Sequence, residues 1–197
     1  VGECAPLPDL SCDAIPEYER TLESVCGMFA LTGTINYDMM RPYPSMLFGL
    51  ETALLSFERG SDVLFDTPFG RGEEGIPING LVWMGSYDEM LSRLEAKLKA
   101  GFRCVKLKIG AIDFDKELDL IRHIRSAYGK DRVELRVDAN GGFSPAEAPQ
   151  RLEQLARYDI HSIEQPIRQH QWQDMARLCR ESPLPIALDE ELIGVNM

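Results

Sequence analysis

From Ile78 onward the sequence alternates regularly between strand-like and helix-like segments, and this alternation limits the fold more than any other feature. Each strand pattern and the amphipathic helix pattern after it take up about 25 to 30 residues together. The predicted strands are 78–84, 104–109, 133–137, 162–164 and 186–188, and the predicted helices are 87–100, 113–128, 145–158 and 172–180. Such spacing is typical of parallel strands joined by helical crossovers.

Two architectures are built from such units, the doubly wound sheet and the (β/α)8 barrel. A nucleotide-binding doubly wound sheet needs a glycine-rich phosphate motif between its first strand and a helix. The segment Gly70–Gly75 reads GxGxxG, but Ile76 and Pro77 follow it instead of a helix. Because polar residues end the successive predicted strands, where barrel active sites lie, we predict an α/β fold of the barrel type.

Residues 1–77 lack this alternation. Prolines interrupt them repeatedly, and apolar spacing predicts two helices, 18–30 and 45–59. We therefore predict two domains, 1–77 and 78–197.

Charge and cysteine usage exclude several classes of protein. The chain has 21 Lys and Arg against 32 Asp and Glu, for a formal net charge of −11, which disfavours nucleic acid and anionic membranes as partners. No apolar run approaches the roughly 18 residues of a membrane span. The five cysteines show no CxxC spacing, which indicates a reducing compartment and hence the cytoplasm. The sequence leaves open whether the chain forms a homo-oligomer.

The second predicted strand ends in a pair of lysines. Strand alternation places Lys106 and Lys108 on one side, opposite Val105, Leu107 and Ile109. Because two ammonium groups in a barrel interior repel each other and lose hydration, we expect at least one of them to have a lowered pKa. A lysine with a lowered pKa can act as a general base. The alternative is an edge strand with both lysines in solvent.

The third, fourth and fifth predicted strands end near carboxylates. Asp138, Glu164 and Asp189 follow one another at the spacing of one strand–helix unit, so they would meet at one end of a parallel sheet. Each acid alone could be a helix cap or a loop residue. Three together would repel one another strongly unless a cation binds, and oxygen ligands suit Mg²⁺. We therefore predict a magnesium site.

These motifs together resemble those of a known family. K-x-K at 106–108, D-A-N-G-G at 138–142, E-Q-P at 164–166 and D-E at 189–190 resemble the muconate-lactonizing subgroup of the enolase superfamily. In addition, Gly2–Leu7 resembles the segment that closes the sheet of that superfamily's capping domain. The resemblance implies a modified (β/α) barrel, of which this chain holds about five strands, preceded by part of an N-terminal α+β capping domain.

The resemblance also implies a role for each matching residue. Asp138, Glu164 and Asp189 would bind Mg²⁺. Lys108 would be the base, and Lys106 would lower the pKa of Lys108 and contact the substrate carboxylate. Supporting roles would fall to Asn140 and Glu190, which would orient the site, and to Pro6 and Leu7, near the loop that closes over the substrate.

The family carries a second catalytic lysine on its sixth strand, which one further strand–helix unit would place beyond Met197. An open half-barrel would expose an unpaired strand edge and its apolar interior. We therefore expect residues 1–197 alone neither to fold stably nor to catalyse.

The activity implied by the resemblance is that of an Mg²⁺-dependent lyase acting on a small-molecule carboxylate. Lys108 would remove the proton beside the carboxylate of a cyclohexadiene ring and return a proton to the leaving hydroxyl, so that loss of water gives an aromatic ring. A rival within the subgroup is a racemase or epimerase of N-acylated amino acids or dipeptides. A rival of another class is a non-catalytic, metal-dependent acid-binding module.

Overall fold

The computed structural model describes residues 1–195, which form two compact units. One unit is Val1–Ile76 together with the residues from Ile193 on, and the other is Pro77–Leu192. That these units are a capping-domain part and a barrel part stays a prediction. All five cysteines are free thiols, as expected. No helix among the described residues has the length and apolar character needed to cross a bilayer.

The first unit is built from three helices. They are α1 (Tyr18–Thr32), α2 (Tyr37–Met40) and α3 (Pro44–Arg59). Both predicted helices are confirmed, and each ends at a glycine in the left-handed conformation, Gly33 and Gly60. The short α2, capped by the Asn36 side chain, was not predicted because four residues show no periodicity. The core of this unit contains Val25, Met40 and Met46.

The segment Gly2–Leu7 was expected to close a sheet, but the structure assigns no strand to it. It lies against α3 instead. A Cβ atom on Gly2 would overlap the carbonyl oxygen of Gly49, and a Cβ atom on Gly49 would overlap Cys4 Sγ. A strand needs a hydrogen-bonded neighbour, and no other part of residues 1–76 is a strand, so the segment has no partner within this unit.

The second unit is a five-stranded sheet with helices between consecutive strands. The strands are β1 (Gly80–Val82), β2 (Cys104–Lys108), β3 (Glu134–Asp138), β4 (Ile160–Glu164) and β5 (Ile186–Ala187). The helices are α4 (Tyr87–Lys99), α5 (Phe114–Ala127), α6 (Ala148–Ala156) and α7 (Trp172–Glu181). All strand pairs are parallel and the strand order is β1-β2-β3-β4-β5. Sequential order is that of a barrel wall, whereas a doubly wound sheet reverses its order.

Alternation along the strands fixes which side chains enter the core. Val105 and Leu107 of β2 are completely buried, as are Leu135 and, nearly so, Val137 of β3. A shift of one residue would bury the lysines of β2 in this apolar layer, so the register is strongly determined. The lysines therefore lie on the opposite face of β2, as predicted.

The predicted elements of this unit are all present, and their ends differ from the predicted ones by up to three residues. The helix α6 begins at Ala148, three residues later than expected, because residues 145–147 form a turn in which the Glu147 N–H donates to the carbonyl oxygen of Ser144 at 3.1 Å. Strand β5 has two residues, and among the described residues it pairs with β4 alone.

Candidate active site

The carboxyl ends of β2, β3 and β4 bring four of the predicted site residues together, namely Lys106, Lys108, Asp138 and Glu164. Lys108 is in register with Asp138, and Asp138 is in register with Glu164. In consecutive parallel strands, residues at the same level project from the same end of the sheet. The site therefore follows from strand register, without any long loop.

Two lysines and two carboxylates form a network of ion pairs. Lys106 Nζ lies 2.8 Å from Glu164 Oε2 and 3.5 Å from Asp138 Oδ2. Lys108 Nζ lies 2.5 Å from Asp138 Oδ2 and donates a 2.8 Å hydrogen bond to Asn140 Oδ1. The Asp138 side chain is completely buried. Since a buried charge without a partner is costly, the lysines compensate the carboxylates here.

This pairing changes the acidity expected of Lys106. Burial lowers the pKa of Lys106, but the hydrogen bond to Glu164 and the charges of Glu164 and Asp138 more than offset it, and the pKa is raised. Lys106 therefore does not have the lowered pKa that was expected of at least one of the two lysines, because the carboxylates beside it stabilise its charge. Burial also raises the pKa of Glu164; the Lys106 hydrogen bond opposes this, and the nearby Asp138 charge adds to it.

Asn140 joins Lys108 to the end of β5. Its Nδ2 donates a 2.9 Å hydrogen bond to Glu190 Oε1, and its backbone N–H donates to Asp138 Oδ1 at 3.0 Å. Asn140 has a φ of +43°, a conformation that asparagine adopts more readily than most residues. Glu190 begins a short 3-10 turn, Glu190–Leu192. Asn140 thus contacts both Lys108 and Glu190, and the orienting role of Asn140 and Glu190 stays a prediction.

Asp189 lies apart from this network. Its side chain is exposed and takes no part in the lysine contacts, while its backbone N–H donates to Gln165 Oε1 at 3.1 Å. Within residues 1–195, no three acidic, histidine or cysteine side chains form a group with metal-binding spacing. Asp138 and Glu164 instead pair with the ammonium groups of Lys106 and Lys108.

The donor atoms at this end of the sheet nevertheless fit a hard divalent cation. Asp138 and Glu164 supply carboxylate oxygens that share one lysine as partner. Glu190 Oε2 is buried and has no hydrogen-bond partner among the described residues. Buried polar atoms are normally paired, so this carboxylate oxygen is available to a cation or to a water that a cation orders.

Two further residues shape this end of the sheet. Trp83, directly after β1, places its ring 5.6 Å from Lys108 Nζ. Arg93 donates hydrogen bonds to the carbonyl oxygens of Trp83 and Met84, at 3.0 and 2.7 Å, and so holds this chain segment in place. The indole ring adds a partly exposed apolar wall beside the lysine.

The loop after Lys108 is held by a buried carboxylate that sequence reasoning did not identify. Glu117 Oε1 accepts hydrogen bonds from the backbone N–H groups of Gly110–Ile112, at 2.7, 3.3 and 3.4 Å. Burial raises the pKa of Glu117, although these hydrogen bonds and the charge of Arg151 oppose it. No sequence signal marks Glu117, because acids are common in the first turn of a helix.

Pro6 and Leu7 belong to the first unit. The backbone N–H of Leu7 donates to Ser11 Oγ at 2.8 Å, and the carbonyl oxygen of Leu7 accepts from Ser11 N–H at 2.9 Å, so a compact turn follows these residues. Their place near a substrate loop stays a prediction.

Comparison with known proteins identifies the family. The sequence profile described as "Enolase C-terminal domain-like" matches residues 89–197, which is more than half of the chain. The chain belongs to the enolase superfamily. The predicted resemblance and the barrel-type α/β fold are both confirmed.

Three comparisons show which members of the enolase superfamily this chain resembles. The o-succinylbenzoate synthase of Desulfotalea psychrophila is 57% identical over 155 residues, covering 78% of this chain and 42% of that protein. The crystal structure of MenC from the same organism shares 41% identity and a TM-score of 0.81, covering all of this chain and 63% of the other. The o-succinylbenzoate synthase structure from Thermosynechococcus elongatus, with Mg in its active site, is 26% identical to this chain, with a TM-score of 0.73. The match covers 96% of this chain and 56% of the other.

The chain thus spans less than two thirds of the length of these relatives. What they share with it includes the sheet whose end carries the lysine and carboxylate network.

Proposed function

We propose that the protein containing this chain is an o-succinylbenzoate synthase. It would remove water from 2-succinyl-6-hydroxy-2,4-cyclohexadiene-1-carboxylate to give o-succinylbenzoate, in menaquinone biosynthesis. The structural observation that carries the proposal is Lys108, fixed between Asp138 and Asn140 at the end of the sheet. The 57% identity to a synthase over most of this chain supports the choice of reaction.

Asp138, Glu164 and Asp189 are the residues that would hold Mg²⁺. When bound, Mg²⁺ supplies positive charge that stabilises the negative charge developing on the substrate carboxylate. Asn140 and Glu190 would keep the ligands and Lys108 in a fixed arrangement through their mutual hydrogen bond.

Lys108 would carry out both proton transfers. Its neutral Nζ takes the proton from the ring carbon beside the carboxylate, and the electrons of that C–H bond move onto the carboxylate-bearing fragment. The protonated Nζ then donates a proton to the hydroxyl, and the displaced electrons form the new double bond between the two ring carbons as the C–O bond breaks and water leaves. One proton is taken and one is returned, so the lysine ends the cycle as it began.

Lys106 and Trp83 would shape the space around the substrate. The ammonium group of Lys106 can pair with the carboxylate of the substrate, because it already binds carboxylates at this position. The ring of Trp83 provides an apolar surface beside Lys108. The proposed reaction needs a small-molecule carboxylate and Mg²⁺, with no nucleic acid or membrane as partner, and we place it in the cytoplasm.

The test is turnover of this substrate by the full-length protein and by its Lys108→Ala variant. Proton transfer by a positioned side chain contributes about 10²- to 10⁴-fold, so Lys108→Ala should lower kcat by at least about 100-fold. Lys116→Ala removes an exposed lysine of α5 and should leave kcat unchanged.

No turnover by the intact protein would refute the synthase proposal. Exchange of the α-proton of N-acylamino acids or dipeptides in deuterated water would then identify a racemase or epimerase. Binding of Mg²⁺ without any proton exchange would identify a non-catalytic module.

A further inference from the structure

Gln165 has a backbone conformation that needs an explanation. It follows Glu164 directly, is completely buried, and has a φ of +39°. Glycine is favoured in this left-handed region, and another residue persists there only when its surroundings hold it. The Gln165 side chain must therefore make contacts that glycine could not.

The side-chain amide of Gln165 makes contacts of this kind. Its Oε1 accepts hydrogen bonds from the backbone N–H groups of Asp189 and Glu191, both at 3.1 Å. Its Nε2 donates to the carbonyl oxygen of Ile167 at 2.9 Å and to Glu191 Oε2 at 3.3 Å. Exchanging the two ends of the amide would set N–H groups against N–H groups, so these partners define its orientation.

The backbone of Gln165 contacts β5 and also the segment after β3. Its N–H donates to the carbonyl oxygen of Ala187 in β5 at 2.9 Å, and its carbonyl oxygen accepts from Gly141 N–H at 2.7 Å. Gly141 follows Asn140 in the D-A-N-G-G segment after β3. Gln165, directly after β4, thus joins the segments that follow β3 and β5.

Glu191 completes the arrangement from the other side. It is almost completely buried, and its Oε1 accepts a 2.9 Å hydrogen bond from the backbone N–H of His170. Because its Oε2 accepts from Gln165 Nε2, the carboxylate fixes which way the amide points. By contrast, the Asp189 side chain is exposed, so the position of its backbone decides where its carboxylate lies.

We propose that Gln165 is a positioning residue that holds Asp189 and Glu190 at the site, and that Glu191 keeps the Gln165 amide in the required orientation. The hydrogen bonds alone support the first part of the proposal, that Gln165 fixes the position of residues 189–191. The effect on Mg²⁺ rests on the proposed function, since Asp189 is a ligand only there. A residue that orients a ligand typically changes metal affinity by about 10- to 100-fold when it is replaced.

The test compares four variants of the full-length protein. Gln165→Glu keeps the shape but sets a carboxylate against Glu191 Oε2 and the Ile167 carbonyl. The double variant Gln165→Glu with Glu191→Gln restores a donor between the two side chains. Gln165→Gly removes the side chain, and glycine readily adopts the left-handed backbone. This variant therefore tests the same contacts if Gln165→Glu does not fold. Gln150→Glu adds the same charge at an exposed position of α6 as the matched control.

Two measurements are made on each variant: hydrogen exchange of the peptide containing residues 189–191, and the Kd of Mg²⁺ by titration calorimetry without substrate. For Gln165→Glu and Gln165→Gly we expect at least tenfold faster exchange in this peptide and at least tenfold weaker Mg²⁺ binding. The double variant should recover most of both losses relative to Gln165→Glu. The control should match the wild type.

Wild-type exchange in both Gln165 variants would overturn the proposal, as would faster exchange spread evenly over Pro77–Leu192. Failure of the double variant to recover would overturn the role of Glu191. If the wild-type protein binds no Mg²⁺, the proposed function is wrong, and the exchange measurement still decides whether Gln165 holds this segment.

Discussion

Replacing Asn140 by alanine should lower kcat/KM more than its effect on stability explains. Asn140 Oδ1 accepts a 2.8 Å hydrogen bond from Lys108, and Nδ2 donates a 2.9 Å hydrogen bond to Glu190. A hydrogen bond to a charged group contributes about 1.5 to 3 kcal/mol. If losing this hydrogen bond raises the activation free energy by about 2 kcal/mol, the rate falls about 30-fold. We therefore expect kcat/KM to fall between about 10- and 100-fold.

The backbone of Asn140 provides the control. Alanine at a φ of +43° carries strain of about 1 kcal/mol that glycine does not. Asn140→Ala should therefore be less stable than Asn140→Gly by about 1 kcal/mol in urea unfolding of the full-length protein, while the two variants should have the same kcat/KM. Wild-type kcat/KM in Asn140→Ala would refute the reasoning. A lower kcat/KM in Asn140→Ala than in Asn140→Gly, in step with their difference in stability, would refute it too.

Two further predictions concern stability in each unit. Burial raises the pKa of Glu117, so the folded chain binds a proton there more tightly than the unfolded chain does. The free energy of unfolding should therefore fall as the pH rises through this raised pKa. Urea unfolding at a series of pH values measures this slope, and Glu117→Gln should flatten it. An unchanged slope would contradict this. In α3, the new Cβ atom of Gly49→Ala would overlap Cys4 Sγ, and this variant should lower the free energy of unfolding by about 1 to 3 kcal/mol. The control Gly27→Ala in α1 meets no atom within 4 Å and should be neutral or stabilising. Equal urea unfolding midpoints for the two variants would contradict the close packing at Gly49.

Local patterns predicted the second unit well. Alternation in Cys104–Lys108 and helical spacing in the segments between strands are encoded within a few residues of sequence, so the elements could be derived without knowledge of their partners. The meeting of Lys108, Asp138 and Glu164 followed in turn from parallel strand order. The ends of the elements were less accurate, because the first residues of a helix pattern can form a separate turn, as residues 145–147 do before α6.

Features that depend on contacts between distant residues could not be predicted. The raised pKa of Lys106 results from carboxylates on two other strands, and the left-handed backbone of Gln165 results from its bonds to Asp189 and Glu191. The segment Gly2–Leu7 forms no strand because pairing requires a neighbour that residues 1–76 do not provide. In each case the sequence shows the residue but not the partner that determines its state.

The most direct test of the central claim is Mg²⁺-dependent dehydration by the full-length protein. Formation of o-succinylbenzoate is measured after chelation with EDTA and again as Mg²⁺ is added back. The account predicts no turnover after chelation and a saturable recovery with Mg²⁺, which Asp138→Asn should abolish because it removes one of the carboxylates at the site. Turnover that persists in EDTA, or that Asp138→Asn leaves unchanged, would contradict a carboxylate-bound magnesium ion at this end of the sheet.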